Sequence, residues 1–72
     1  MVNNPACIRK HSVLIEGHET SVSMENAFWN SLRSIAREKN LSINDLVSKI
    51  DSSRRGNLSS AIRIYVLQYF KN

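Results

Sequence analysis

"TSVSMENAFWNSLRSIA", Thr20 to Ala36, decides how this chain folds. Its first five residues alternate: Thr20, Val22 and Met24 on one side, Ser21 and Ser23 on the other. That period of two belongs to a β-strand. With no loop between, Phe28, Leu32, Ile35 and Ala36 then recur at helical spacing, with Trp29 beside them. A lone strand leaves its backbone N–H and C=O groups without partners, so it must pair with something.

The upstream residues supply a first partner. "KHSVLIEGHETSVSM" reads as a β-hairpin with Gly17-His18 as its turn, glycine first, as a type II′ turn prefers. Ile15 then faces Thr20, Leu14 faces Ser21, Val13 faces Val22, Ser12 faces Ser23, and His11 faces Met24. One face holds His11, Val13, Ile15, Thr20, Val22 and Met24 and is largely apolar. The other holds Lys10, Ser12, Leu14, Ser21 and Ser23 and is largely polar. A slip of one residue would mix the two sets.

Three helices are expected downstream. The first starts between Ser23 and Asn26 and runs to about Lys39, with Asn40 as a left-handed stop. The second follows Leu41, with Ser42 as N-cap and Asp45 three residues on, an aspartate variant of the capping box. Ile43, Leu46, Val47 and Ile50 are its apolar stripe, and Gly56 ends it. The third runs from about Leu58 to Phe70, with Asn57 as cap and a stripe of Leu58, Ala61, Ile62, Tyr65, Val66 and Tyr69. Ile64 and Leu67 point away from that stripe, so this helix is apolar on more than one side.

With 72 residues the chain is one domain and small for an independent core. Residues 1–9, broken by Asn3, Asn4 and Pro5, read as a flexible arm ahead of a domain over 10–72. Chains this short usually rely on a disulfide, a metal or a partner. Cys7 is the single cysteine, so no disulfide forms within the chain. His11, His18 and Cys7 lack the paired spacing of a zinc site, so no metal or other cofactor is expected. A second copy of the chain remains, packed over Val22, Met24, Phe28, Leu32, Ile62, Tyr65 and Val66.

The net charge of +4 and a pI of about 9.7 favour an acidic partner, most commonly nucleic acid. No apolar run reaches the roughly 20 residues of a membrane span. "MVNNPACIRK" lacks the apolar centre of a secretory signal, so a reducing cytoplasm is the expected location. No small-molecule ligand is evident from the sequence. Neither is an enzyme: nothing sets a base, an orienting group and an oxyanion site together, and no glycine-rich phosphate loop occurs.

"TSVSM", "FWNSLRSIAREKN" and "LSINDLVSKI" together resemble the strand, first helix and second helix of the ribbon-helix-helix family of bacterial DNA-binding proteins, of the Arc and MetJ type. "LSINDLV" is the most specific part. The added hairpin strand and "GNLSSAIRIYVLQYF" look like a bacterial subfamily of such domains, and the likeness covers about Lys10 to Phe70. It implies a mainly α fold with a short β-ribbon, a β-hairpin followed by three helices, forming an intertwined homodimer. It also implies a transcriptional regulator, such as a repressor, that sets a ribbon in the major groove of duplex DNA.

Carried onto this sequence, the resemblance puts Ser21 and Ser23 against base edges, with Glu19 as the third position of that face. If the first strand reads instead, Lys10 and Ser12 take that role. Ser23 has a second reading as the cap of the first helix. Ser42, Ile43 and Asn44, at the start of the second helix, are the phosphate candidates, since free N–H groups there hold anions. Arg9 before the ribbon and Arg54 and Arg55 in the second loop are further phosphate candidates. Serine is shorter than the usual reading residues, and Glu19 repels phosphate unless it meets a cytosine amino group. The rival reading is a dimeric protein-interaction module whose hairpin shields the ribbon. It would expose apolar surface such as Leu14 rather than focus positive charge.

Overall fold

The computed structural model describes residues 6–53 and 56–71. They form strands β1 (Ile8–Ile15) and β2 (His18–Glu25), then helices α1 (Asn26–Glu38), α2 (Ile43–Ser53) and α3 (Leu58–Lys71). The two strands pair antiparallel as one ribbon, and the helices pack on one of its faces.

The turn sits one residue earlier than expected. Glu16 and Gly17 both have positive φ, 51° and 80°, the pattern of a type I′ turn. Ile15 therefore pairs with His18, Val13 with Thr20, Ser12 with Ser21, His11 with Val22 and Lys10 with Ser23. The register has moved by two residues. An even shift keeps every side chain on its face, so both faces survive the correction. Turn type does not separate the two registers, because types I′ and II′ both twist as the flanking strands do. The length of the ladder does: it runs to Ile8 opposite Glu25. The expected register would set Ile8 against Ala27, which is already inside α1. Ile8 and Arg9 thus belong to β1 rather than to an arm, and residues 1–5 of that arm lie outside the described residues.

The strand-to-helix junction needs no loop because one hydrogen bond serves both elements. The Asn26 N–H is the first of α1, where no intrahelical acceptor exists. It donates instead to the Cys7 carbonyl at 2.9 Å, closing the last rung of the ribbon. Glu25 holds the N-cap position with extended backbone and makes no side-chain cap. Ser23 is therefore not the helix cap, and its side chain stays on the exposed outer face.

The other helix ends follow local chemistry. Asn40 takes φ 58°, and the Leu41 N–H reaches the Ala36 carbonyl at 2.8 Å while Asn40 N–H reaches Arg37 at 3.1 Å. That pair of bonds is a Schellman stop. Ser42 Oγ accepts the Asp45 N–H at 3.0 Å and Asn57 Oδ1 accepts the Ser60 N–H at 2.8 Å, capping α2 and α3. The Tyr69 hydroxyl donates to the Glu38 carboxylate, and the Lys39 ammonium lies 5.7 Å from the Tyr69 ring centre, tying α3 to the end of α1.

The core forms between the inner ribbon face and the three helices. Val13, Val22 and Met24 meet Trp29, Leu32 and Ile35 of α1, Leu46, Val47 and Ile50 of α2, and Ile62 and Val66 of α3. Val22, Met24, Leu32, Ile62 and Val66 are covered by the chain's own elements, and Phe28 and Tyr65 pack half-buried against them. Trp29 turns inward and Phe28 to the margin, a small rotation from the stripe expected for α1. On α3, Ile64, Leu67 and Phe70 remain exposed.

Three substitutions separate these contributions in urea unfolding. Met24→Ala leaves a cavity in a fully buried site and should cost about 2–5 kcal/mol. Ser42→Ala removes a cap and should cost about 1 kcal/mol. Gly17→Ala meets no atom within 4 Å, so its cost comes from the left-handed backbone alone, about 1–2 kcal/mol.

Candidate nucleic-acid interface

Alternation along the strands leaves one ribbon face away from the helices. Lys10, Ser12 and Leu14 of β1 and Glu19, Ser21 and Ser23 of β2 all lie exposed on it. The register makes cross-strand neighbours of Lys10 and Ser23, and of Ser12 and Ser21. Residues that the sequence assigned to one strand or the other therefore share a single patch. A donor-rich patch of three hydroxyls and one ammonium lies at its centre, with Glu19 beside Leu14 near the turn. Glu25, at the far end, is held by Arg63, whose Nε and Nη2 both lie 2.9 Å from Oε1. Those hydrogen bonds hold the Glu25 carboxyl below its ordinary range.

Each outer edge of the ribbon is tied to a helix start. The Leu14 N–H on the β1 edge donates to Asn44 Oδ1 at 3.1 Å. On the β2 edge, Ser59 Oγ donates to the Ser23 carbonyl at 3.1 Å. The first bond sets the N-terminus of α2 against the ribbon margin. There the N–H groups of Ile43 and Asn44 occupy positions that lack intrahelical acceptors, at the positive end of the helix dipole. Ser42 Oγ is used as the cap, and Asp45 adds a carboxylate to the first turn. The Asn44 side chain thus ties the start of α2 to the ribbon. Nothing in the "SIND" motif alone reveals that tie; it depends on β1 lying beside α2.

Arg9 lies on the opposite face from Lys10, as neighbours in a strand must. It is exposed at the helix side of the ribbon's open end. Arg9 and Arg33 of α1 both act electrostatically on His11. Arg33 and Arg63 were not singled out from sequence; both are one turn from core residues of their helices, and only the packing shows what they face. Arg54 and Arg55 lie outside the described residues.

His11 stacks on Trp29, with ring centres 4.0 Å apart and planes 10° from parallel. Its Nε2 is buried and has no hydrogen-bond partner. Burial lowers its pKa from 6.5, and repulsion by Arg9 and then Arg33 adds to the shift. Among the described residues, no group of three or more His, Cys, Asp or Glu is placed to hold a metal, and no helix is long and apolar enough to cross a membrane.

Comparison with known proteins adds the family. A model of the ribbon-helix-helix domain matches residues 8–70, which includes the whole ribbon and nearly all of α3. The chain belongs to the ribbon-helix-helix family. A solved structure, an uncharacterized protein from Bordetella pertussis Tohama I, superposes with a TM-score of 0.77 at 24% identity. The match covers 90% of this chain and 57% of that one. It shows a shared fold. No curated protein matches the sequence. Within this ribbon-helix-helix chain the ribbon is already two-stranded, built from β1 and β2 of one chain.

The lowered pKa of His11 gives a signed expectation. The unfolded chain takes up a proton near pH 6.5 and the folded chain only at lower pH. The stability contribution is therefore complete above 6.5 and declines as pH falls through the folded value. Unfolding free energy measured from pH 7.5 to 5 should fall, and His11→Phe, which keeps the stack on Trp29, should flatten that part of the curve.

Proposed function

We propose that the protein is a sequence-specific duplex DNA-binding regulator of transcription, acting as a homodimer whose β-ribbon enters the major groove. The Leu14 N–H bond to Asn44 Oδ1 carries this reading. It joins the two parts that groove recognition requires: a polar ribbon face and, at its margin, a helix N-terminus with open N–H groups. A two-stranded ribbon fits the width of the major groove. A net charge of +4 favours approach to DNA.

In this reading Lys10, Ser12, Ser21 and Ser23 face base edges, and Glu19 accepts from a cytosine amino group. The N–H groups of Ile43 and Asn44, with Ser42 beside them, meet a phosphate flanking the groove. Arg9, Arg54 and Arg55 add phosphate contacts. Two chains related by a two-fold axis would read a short, roughly symmetric site. Expression of this function needs no cofactor, and transcription repression follows if such a site overlaps a promoter.

One observation favours a second reading, a protein-interaction module. Ile8 is 59% and Leu14 49% exposed on the same outer face as the serines. Two aliphatic side chains suit a protein partner better than a phosphate backbone. Leu14 also suits a thymine methyl, which DNA presents in the major groove.

Selection of genomic duplex fragments at two salt concentrations, followed by sequencing, distinguishes the two. DNA reading requires an enriched, roughly symmetric motif; absence of binding at low salt would leave the interaction module. If a dimer neutralises about six phosphates, log affinity should fall with log salt at a slope of about −5. Ser21→Ala should change preference between sequences. Asn44→Ala should weaken binding to all sequences alike, because it releases α2 from the ribbon margin; an Asn44→Ala protein with unchanged affinity would exclude the proposed clamp.

A further inference from the structure

We propose that the cavity between α2, α3 and the end of α1 binds a small anionic amphiphile, a carboxylate or sulfonate on an apolar body. The cavity is a cleft of about 390 Å³ that opens to solvent. That lies within the range of ordinary small-molecule sites, roughly 300–1,000 Å³. Leu46 and Ile50 of α2 and Ala61 and Ile64 of α3 supply aliphatic lining, beside Tyr65 and Gln68. Lys39, just after α1, and Lys49 of α2 add two ammonium-bearing side chains to the lining. Among the described residues lining it there is no carboxylate.

The chemistry of the lining selects the ligand. The aliphatic part of the lining favours an apolar body, because contact between them takes apolar surface of both out of water. Two lysines without a carboxylate between them favour an anion and disfavour a cation. A neutral apolar compound would cover the aliphatic lining but leave the lysines unused. The Lys39 ammonium lies 5.7 Å from the Tyr69 ring centre.

A second copy of the chain is the competing occupant. The apolar stripe of α3, Ile64, Leu67 and Phe70, is exposed and borders the cavity through Ile64. That stripe carries no acidic side chain and ends at Lys71, however, so it offers Lys39 and Lys49 no counter-charge. Charge complementarity therefore favours a ligand that carries its own negative charge.

The test uses the full chain and amide chemical-shift mapping with sodium decanoate below its micelle-forming concentration, with decanol as the uncharged counterpart. Decanoate should give saturable shifts at Leu46, Lys49, Ala61 and Ile64, and decanol weaker ones. Lys49→Gln should weaken decanoate about five-fold, the effect of one partly solvated ion pair, and leave decanol unchanged. Ile64→Glu changes an exposed lining residue, so it should fold normally and lose decanoate; Leu67→Glu, one turn further and outside the cavity, should keep it. Absence of saturable shifts overturns the proposal, as do shifts spread over Leu67 and Phe70 or an affinity indifferent to Lys49→Gln and Ile64→Glu. Concentration-dependent shifts of the cavity residues in the ligand-free protein also overturn it, because they would show a second copy in the site.

Discussion

The left-handed pair Glu16–Gly17 holds the rest of the structure in place. Two consecutive residues at positive φ turn the chain with the twist that β1 and β2 already have. The turn sets the register, and the register decides which side chains meet across the ribbon. His11 comes to lie opposite Val22, so its ring rests on Trp29 at the edge of the core. Lys10 and Ser12 come to lie opposite Ser23 and Ser21, so the outer face gathers its polar groups at one place. Glycine at the second turn position carries the larger positive φ without strain, while Glu16 occupies a region that a residue with a Cβ visits less readily. Length of ladder compensates: the chosen turn lets eight cross-strand pairs form.

A ribbon of two strands has two outer edges, and unpaired edges invite further pairing. Here the helix starts occupy part of both. Asn44 takes the Leu14 N–H on one side, and Ser59 reaches the Ser23 carbonyl on the other. These bonds do two things at once. They satisfy edge groups, and they hold the N-termini of α2 and α3 at the ribbon margins. A helix N-terminus placed by a side-chain bond to a strand keeps its position as long as the ribbon keeps its register. The same ribbon that presents polar side chains thus also positions the dipoles beside them.

Much of this was legible because the relevant signals are local. The direct passage from strand to helix between Ser23 and Asn26, the stop at Asn40, the caps at Ser42 and Asn57 and the core stripe of α2 depend on residues close together in the sequence. The two ribbon faces were legible for a different reason: parity is insensitive to an even error in register. The turn itself was misplaced because Gly17 satisfies either a type II′ turn as its first residue or a type I′ turn as its second. Only the length of the ladder, a property of the whole hairpin, separates the two. Ser23 read equally well as a cap or as a strand residue until the Asn26 N–H was found to serve the ladder. The ties from Asn44 and Ser59, the Arg63 pair with Glu25, and the cavity between α2 and α3 join residues far apart in sequence. No pattern within one element encodes them.

The short chain raises the question of what a second copy would add. Met24, Leu32, Ile35, Val47 and Ile62 are all fully covered by the chain's own elements. A partner is therefore not needed to complete the centre of this core. It would act at the periphery, where Ile8 and Leu14 on the ribbon and Ile64, Leu67 and Phe70 on α3 stay exposed. These two groups differ in what they can do. Ile8 and Leu14 stand among the hydroxyls of Ser12, Ser21 and Ser23 and beside Lys10 on the outer ribbon face. Ile64, Leu67 and Phe70 run along one helix without interleaved charge until Lys71, which is the composition of a surface covered by another body. The ribbon and its three helices thus close the centre of the core within one chain, and the apolar stripe of α3 is left outside it.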